Sequence, residues 1–160
     1  MFHSILVALD GSRSASRVLE EAIEVARRDG ARLTLISVAT QPRFRFVSPY
    51  VVGYPTDADL VRQAEETLKR AEALVPDDVP VCSIVRRGDV AKAILDRVRD
   101  AEHDLVVMGS HGRGPIRALL LGSVSRTVVA RSPVPVRIAG ARPDVKKEAV
   151  WTTRSRPAAS

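Results

Sequence analysis

Apolar and polar positions along this chain follow two alternating periods. Short apolar runs, typical of strands buried on both faces, occur at residues 4–9, 32–39, 79–85, 104–108 and 134–138. Between these runs, apolar residues recur every three or four positions, which predicts amphipathic helices from about 14 to 29, 57 to 75, 89 to 98 and 123 to 131. Strict alternation of strand and helix predicts an α/β fold, a doubly wound parallel sheet with helices on both faces.

Residues that start or stop helices lie where this pattern changes. Gly30 is placed to end the first helix, Pro76 follows the second, and Asp89 is placed to cap the third. The stretch 41–55 is predicted to be a long loop, and from residue 142 the periodic pattern stops. We therefore predict one domain over residues 1–141, followed by a disordered basic tail over residues 142–160.

Composition adds a constraint on partners. The 160 residues are 45% hydrophobic and carry a net charge of +6, which fits a globular chain that attracts an anion. Between Asp104 and Asp144 there are six arginines and no acidic residue. Because positive charge is concentrated there, the sequence favours a small phosphorylated ligand and leaves nucleic acid as a minor alternative, confined mainly to the tail.

Cys82 is the only cysteine, which excludes an intrachain disulfide and a cysteine-rich zinc site. It lies within an apolar run, and we expect it to be a small buried hydrophobe. The N-terminus does not resemble a secretory signal, and no window approaches 18 uncharged apolar residues. We expect a cytoplasmic protein with no membrane partner.

Two glycine-rich segments, residues 109–114 and 122–125, follow the fourth strand and begin the last helix. In open parallel sheets, ligands bind beyond the carboxyl ends of the strands, where the strand order reverses. Glycine lets backbone N–H groups approach a phosphate, and a helix N-terminus supplies free donors and a positive dipole. Ser123 and Ser125 are candidate hydroxyl donors, one of them also capping the helix. Arg113, Arg117 and Arg126 are candidates to neutralise phosphate charge.

The spacing Gly109-x2-Gly112-x9-Gly122-Ser123 resembles the G-x2-G-x9-G-[S/T] nucleotide motif of the universal stress protein family. The flanking segments VVMGSHGRG and LLLGSVSRTVV and the opening ILVALDGSRSASRVLEEA are also similar to that family, and the resemblance covers residues 2–139. It implies the adenine nucleotide alpha hydrolase-like sheet, order 3-2-1-4-5. It also implies ATP or a related adenine nucleotide bound between strands one and four, with Mg²⁺ or Mn²⁺ on its phosphates.

The resemblance also implies roles for individual residues. Asp10 matches the acidic residue near ribose and phosphates, although an Asp-Gly-Ser segment also fits a simple Asx turn. Val38 matches the adenine contact, and Met108 bounds the pocket. The full nucleotide-binding set expected from the sequence is Ala8, Asp10, Val38, Met108, Gly109, Gly112, Arg113, Gly122, Ser123, Val124 and Ser125.

Three functions are compatible with these residues. The leading hypothesis is an ATP-binding stress-response regulator or sensor. The second is a slow ATPase or phosphotransferase in which Asp10 or His111 orients a water or an acceptor. A loop histidine without acidic partners, however, is more often solvent-exposed and without a catalytic role. The third is a scaffold whose glycines are structural. The chain lacks a Walker lysine motif and a Gly-x-Gly-x-x-Gly segment after strand one, which argues against those two nucleotide-site classes.

Association is also expected. An edge strand exposes unpaired backbone groups, and the family resemblance implies a homodimer through the last strand, with Val134, Val136 and Ile138 at the interface. Pro135 removes one backbone donor, so the pairing is expected to be short and side-chain packing to contribute the rest. A further protein partner is expected, but the sequence does not identify it.

Overall fold

The structure of this chain is a computed structural model that describes residues 1–12, 14–41, 55–110 and 121–139. Strands and helices alternate through these ranges. The strands are β1 (Ser4–Ala8), β2 (Arg32–Ala39), β3 (Val81–Arg87), β4 (Leu105–Gly109) and β5 (Val136–Ala139). The helices are α1 (Ala15–Asp29), α2 (Asp57–Glu72), α3 (Val90–Asp100) and α4 (Ser123–Arg131).

The strands form one parallel five-stranded sheet in the order β3-β2-β1-β4-β5, as the resemblance implied. β1 lies at its centre, and Ala8 pairs with Ile36 of β2 on one side and with Met108 of β4 on the other. Ile5, Leu6 and Val7 of β1 are completely buried. Each such side chain stabilises the fold by about 2 kcal/mol relative to an exposed one, so β1 anchors the sheet.

Helices cover both faces of the sheet, as the alternation of elements predicted. Ile5 and Val7 point into a core that α1 and part of α2 close. Leu6 points into a second core, on the opposite face, closed by α3 and α4. Because successive residues of a strand face opposite sides, this division follows directly from the pleat of β1.

Two helix ends lie at residues that the sequence predicted, and a third is capped by residues that it did not single out. Gly30 follows α1 with φ of 69°, a left-handed conformation that glycine adopts without strain. Asp89 caps α3 by accepting a hydrogen bond from the Lys92 amide at 2.9 Å. Thr56 and Asp59 form a reciprocal capping box at the start of α2. Of the helices in the described ranges, none is both long and apolar enough to cross a membrane.

Some predicted boundaries were wrong by a few residues. β5 begins at Val136 rather than Val134, because the Val134 amide donates to Ser132 Oγ in the preceding turn, at 3.2 Å. α2 ends at Glu72 rather than at Val75. In the next turn, hydrogen bonds join residues three positions apart instead of four, as from the Val75 amide to the Glu72 carbonyl. The predicted tail, and most of the predicted loop 41–55, lie outside the described residues.

The prediction for Cys82 was also wrong. Its side chain is exposed near the start of β3, with Sγ 3.5 Å from Thr34 Oγ1. β3 lies at the end of the sheet, so the first residues of this strand are covered less completely than those of a central strand. An alternating apolar run predicts a strand but does not tell an edge strand from a central one.

Replacement of Asp89 by alanine should lower the free energy of unfolding by about 1 kcal/mol, because the Lys92 amide loses its cap. Asp89→Asn keeps an acceptor oxygen at the same position and should lie within a few tenths of a kcal/mol of the parent. Urea denaturation followed by circular dichroism measures both. Equal losses in the two variants would contradict the capping role.

Candidate functional site

The order of strands reverses between β1 and β4. The chain passes from β1 to β2 and β3 on one side, then crosses to β4 and β5 on the other. The carboxyl ends of β1 and β4 are adjacent, with Ala8 opposite Met108, and Gly109 ends β4. This is the position at which open α/β sheets bind ligands.

The two glycine-rich segments meet at this position. The Gly122 amide donates to the Ser110 carbonyl at 2.8 Å, which joins the start of α4 to the end of β4. Ser125 Oγ donates to the carbonyls of Gly109 and Ser110, at 2.9 and 3.2 Å. Ser125 is only 3% exposed, so these bonds lie away from solvent. We refer to this set of hydrogen bonds as the Ser125 clasp.

The sequence did not reveal this structural role of Ser125. Its single hydroxyl proton is directed at backbone carbonyls 15 and 16 residues away in the sequence, across the junction of β4 and α4. A contact between residues so far apart leaves no periodic signal, and only the fold brings the partners together.

The start of α4 presents backbone donors. Gly122 occupies the N-cap position, and its carbonyl accepts the first helical hydrogen bond, from the Arg126 amide at 2.9 Å. Hydrogen bonding within the helix therefore does not use the amides of Ser123, Val124 and Ser125. No acidic residue lies in the first turn, so the positive end of the helix dipole is not offset there.

The expectation that Ser123 or Ser125 caps this helix was wrong. Among the described residues, no side-chain hydrogen bond caps α4, because Gly122 fills the cap position and the Ser125 hydroxyl bonds to the end of β4. Ser123 is exposed on the first turn. Its side chain is therefore available to solvent at the helix start.

Four residues of the predicted site share one apolar cluster. Met108 is buried in the core beneath α3 and α4, and Ala8, Val38 and Val124 pack against the same core while remaining half-buried. They come from β4, β1, β2 and α4, and they lie on the same face of the sheet. The fold thus brings together an apolar surface next to the backbone donors, a combination suited to a ligand with a flat base and an anionic tail.

Asp10 follows β1 and forms an Asx turn. Its Oδ1 accepts a hydrogen bond from the Ser12 amide at 3.0 Å, and Gly11 between them has φ of 72°. The structural interpretation of the Asp-Gly-Ser segment is therefore confirmed. The turn places the Asp10 carboxylate just beyond the carboxyl end of β1, on the same edge as Gly109.

The described arginines after Asp104 do not all lie at the site. Arg126 is on the first turn of α4, and its guanidinium donates to the Leu121 carbonyl at 3.2 Å. Arg137 on β5 pairs with Glu21 of α1 at 3.1 Å, and Arg131 lies in the last turn of α4. Only part of the charge concentrated in this stretch of sequence is thus directed at the candidate site.

Several expected site residues cannot be placed, since Gly112, Arg113, His111 and Arg117 lie outside the described residues. Over the part of the chain that is described, no group of three or more His, Cys, Asp or Glu side chains is arranged to hold a metal ion.

A cavity of about 460 Å³ lies beside this position rather than at it. It is bounded by the ends of β2 and β3 and by the start of α2, with Ala39, Arg87 and Asp57 among its lining residues. Because this cavity does not include the junction of β4 and α4, the clasp and the start of α4 define the candidate site.

The sheet order and the helix start at its switch point define an α/β protein of the adenine nucleotide alpha hydrolase-like class. The family model "Universal stress protein family" matches residues 1–139, and the chain belongs to that family. A universal stress protein of Thermus aquaticus, encoded in the 3′ region of QAH/OAS sulfhydrylase, is 39% identical over 139 residues, covering 85% of this chain and 97% of the relative.

Solved structures agree with this assignment. A universal stress protein from Archaeoglobus fulgidus superposes with a TM-score of 0.67 at 25% identity, over 87% of this chain and 99% of that one. A structure described as the universal stress protein from the same organism in complex with dAMP has a TM-score of 0.63 at 25% identity, covering 86% and 97% of the two chains.

Ser125→Ala should lower the free energy of unfolding by about 1–2 kcal/mol, because the half-buried carbonyls of Gly109 and Ser110 lose a donor. The Gly122 amide should also exchange with solvent faster, since the junction that it closes is weakened. Ser123→Ala is the matched control and should leave both quantities nearly unchanged, as Ser123 is exposed. Hydrogen exchange and urea denaturation of the three proteins measure the difference. A Ser125 variant indistinguishable from the Ser123 variant would disprove the clasp.

Proposed function

We propose that this chain binds an adenine nucleotide at the switch point between β1 and β4, and that ATP with a divalent cation is the form bound. The observation that supports this most is the Ser125 clasp. It holds the amides at the start of α4 beside Gly109, in an arrangement that suits phosphate oxygens. The dAMP-bound relative from Archaeoglobus fulgidus adds support for this class of ligand.

In this proposal, different described residues contact the two ends of the nucleotide, the adenine ring and the phosphates. The half-buried side chains of Ala8, Val38 and Val124 offer an apolar surface to the adenine ring. Backbone amides of Ser123 and Val124, together with the dipole of α4, attract the phosphates. Asp10 follows the end of β1, where its carboxylate can accept a hydrogen bond from a ribose hydroxyl. In this proposal the cation is carried on the phosphate oxygens, which are the ligands that Mg²⁺ prefers.

Gly112 and Arg113 complete the proposed phosphate site. The spacing of Gly112 from Gly109 and Gly122 is the basis for including it, and Arg113 adds a guanidinium that matches phosphate geometry. Ser125 is proposed to act through the clasp, as a positioning residue. Nucleotide occupancy would alter the surface that the chain presents to its dimer partner or to a protein partner in a stress response.

A negative charge introduced at the exposed first turn of α4 should weaken nucleotide binding without lowering the stability of the fold. Ser123→Asp should leave stability unchanged or slightly higher, since a carboxylate is favourable at a helix N-terminus. The same carboxylate repels phosphates, so the dissociation constant for ATP should rise about tenfold or more. Ser123→Asn has nearly the same shape without the charge and should bind close to the parent. Isothermal titration calorimetry with Mg-ATP, dAMP and cAMP measures these constants.

Each outcome of that titration has a clear meaning. Equal affinities in the Asp and Asn variants would place the phosphates elsewhere. Failure of the parent chain to saturate at millimolar nucleotide would overturn nucleotide binding and leave a scaffold with structural glycines. Phosphate release that disappears in Asp10→Asn while ATP binding persists would replace a pure binding function by slow hydrolysis.

We also propose a homodimer through β5. This strand forms one end of the described sheet, with Val136 paired to Val106 and Ile138 to Met108, so its other side has no partner strand within the described residues. Val136 and Ile138 are half-buried. Val134, expected at the interface, precedes the strand and is proposed to contribute packing only.

Light scattering of the parent chain should give twice the 17.4 kDa of one chain. Val136→Lys should shift the particle to a single chain, since a charged side chain on an edge opposes pairing. Val81→Lys carries the same change on β3, at the opposite end of the sheet, and should remain dimeric. A parent chain that scatters as 17.4 kDa at micromolar concentration, or dissociation caused equally by both lysines, would contradict the β5 interface.

A further inference from the structure

A buried histidine lies at the edge of the sheet opposite the candidate site. His103 belongs to the turn between α3 and β4, and it is only 4% exposed. Its Nδ1 lies 2.9 Å from Ser4 Oγ at the start of β1. Within the described part of the chain, its Nε2 is also buried and has no hydrogen-bond partner. Neither the fold nor the proposed nucleotide site explains a buried imidazole in this position.

The hydrogen bonds around Ser4 indicate which nitrogen carries the proton. The Arg32 Nε donates to Ser4 Oγ at 3.3 Å, and a guanidinium can only donate. The Ser4 hydroxyl can then donate its own proton to His103 Nδ1, and in that arrangement the neutral ring carries its proton on Nε2. A second proton has to be added at Nδ1, where the hydroxyl proton already lies. Charging the ring therefore reverses the hydrogen bond between Ser4 Oγ and His103 Nδ1, and the Ser4 hydroxyl proton has to turn away from the ring.

Burial and neighbouring charges also disfavour the protonated form of the His103 ring. Burial lowers the pKa of His103 below its ordinary value of 6.5, and the guanidinium groups of Arg97 on α3 and Arg32 on β2 lower it further. The Asp104 carboxylate and the Ser4 carbonyl act against these effects without reversing them. The Asp104 carboxylate already accepts hydrogen bonds from the backbone amides of His3 and Ser4, at 2.7 and 3.0 Å, and from the His3 ring, at 3.2 Å.

The turn that carries His103 is also strained. Glu102 immediately before it has φ of 50°, in the left-handed region that residues other than glycine rarely adopt. Beyond the turn, the Asp104 amide donates to the Ser4 carbonyl at 2.9 Å. His103 and Asp104 thus hold a strained connection against the amino end of β1.

We propose that His103 is an acid-sensitive latch, which joins the α3–β4 turn to β1 while its ring is neutral and releases that edge of the sheet when the ring takes up a proton. In the folded state the ring resists protonation, so the unfolded or opened state binds more protons below pH 6.5. The stabilisation from the latch is complete above that pH. It is lost progressively as the pH falls from there towards the lower pKa of the folded state.

Hydrogen exchange of the backbone amide next to His103 tests the proposed latch. The protection factor of the Asp104 amide should fall between pH 7 and pH 5, by at most about tenfold per pH unit, as one proton allows. The Leu9 amide, which donates to the Ile36 carbonyl at 2.9 Å near the opposite end of β1, is the internal reference and should keep its protection. Protection factors remove the intrinsic pH dependence of exchange.

Three variants identify the titrating group. His103→Gln should abolish the acid-induced loss at the Asp104 amide. His3→Gln changes the other histidine at this edge, whose side chain is 78% exposed, and should retain the loss. Arg97→Gln should reduce the loss, because removing a neighbouring cation lets the folded state accept the proton more easily.

Several results would overturn the latch. These are equal protection of the Asp104 amide at pH 7 and pH 5 in the parent chain, an unchanged loss in His103→Gln, and a loss that disappears in His3→Gln. If His103→Gln does not fold, nuclear magnetic resonance titration of the His103 ring in the parent and in Arg97→Gln decides. A folded-state pKa at or above 6.5 in the parent excludes the latch, and a lower value that rises in the Arg97 variant supports it.

Discussion

The parallel pairing of β1 with β2 and β4 is the interaction on which the rest of the structure depends. β1 is short, but it is the only strand in the described sheet with three consecutive residues that are completely buried, and both cores are built on its two faces. Parallel pairing also places all carboxyl ends on one edge. The apolar surface, the Asx turn and the start of α4 therefore meet without any long side chain having to reach across the molecule.

The predictions from sequence were accurate where a local pattern determines the structure. β2 and α4 have the predicted bounds, because an uninterrupted apolar run and a period of three to four residues are local properties. The Asp89 cap was predicted for the same reason, since its acceptor and its donor are three residues apart. The strand order came from family resemblance, and no periodic pattern contains that information.

The predictions failed, or said nothing, where the environment depends on distant parts of the chain. The exposure of Cys82 follows from the place of β3 at the end of the sheet. The Ser125 hydroxyl bonds across the junction of β4 and α4, and the ion pair of Arg137 with Glu21 joins residues 116 positions apart. The sequence presented Ser125 as a candidate phosphate donor and Arg137 only as one of the six arginines between Asp104 and Asp144. The fold assigns each of them a backbone or side-chain partner, and the charge of Arg137 supports the packing of α1 on β5.

The exposed thiol on β3 provides a means of measuring assembly geometry. Cys82 is the only cysteine in the chain and lies on the strand farthest from β5, so a maleimide spin label or fluorophore attaches at a single, known place. Two sheets joined through β5 would form ten consecutive strands, with nine spacings between the labels, which at about 4.8 Å per spacing is on the order of 40 Å. Two sheets joined through β3 would bring the labels into near contact. One native side chain thus converts the topology of the sheet into a distance that dipolar spectroscopy can read.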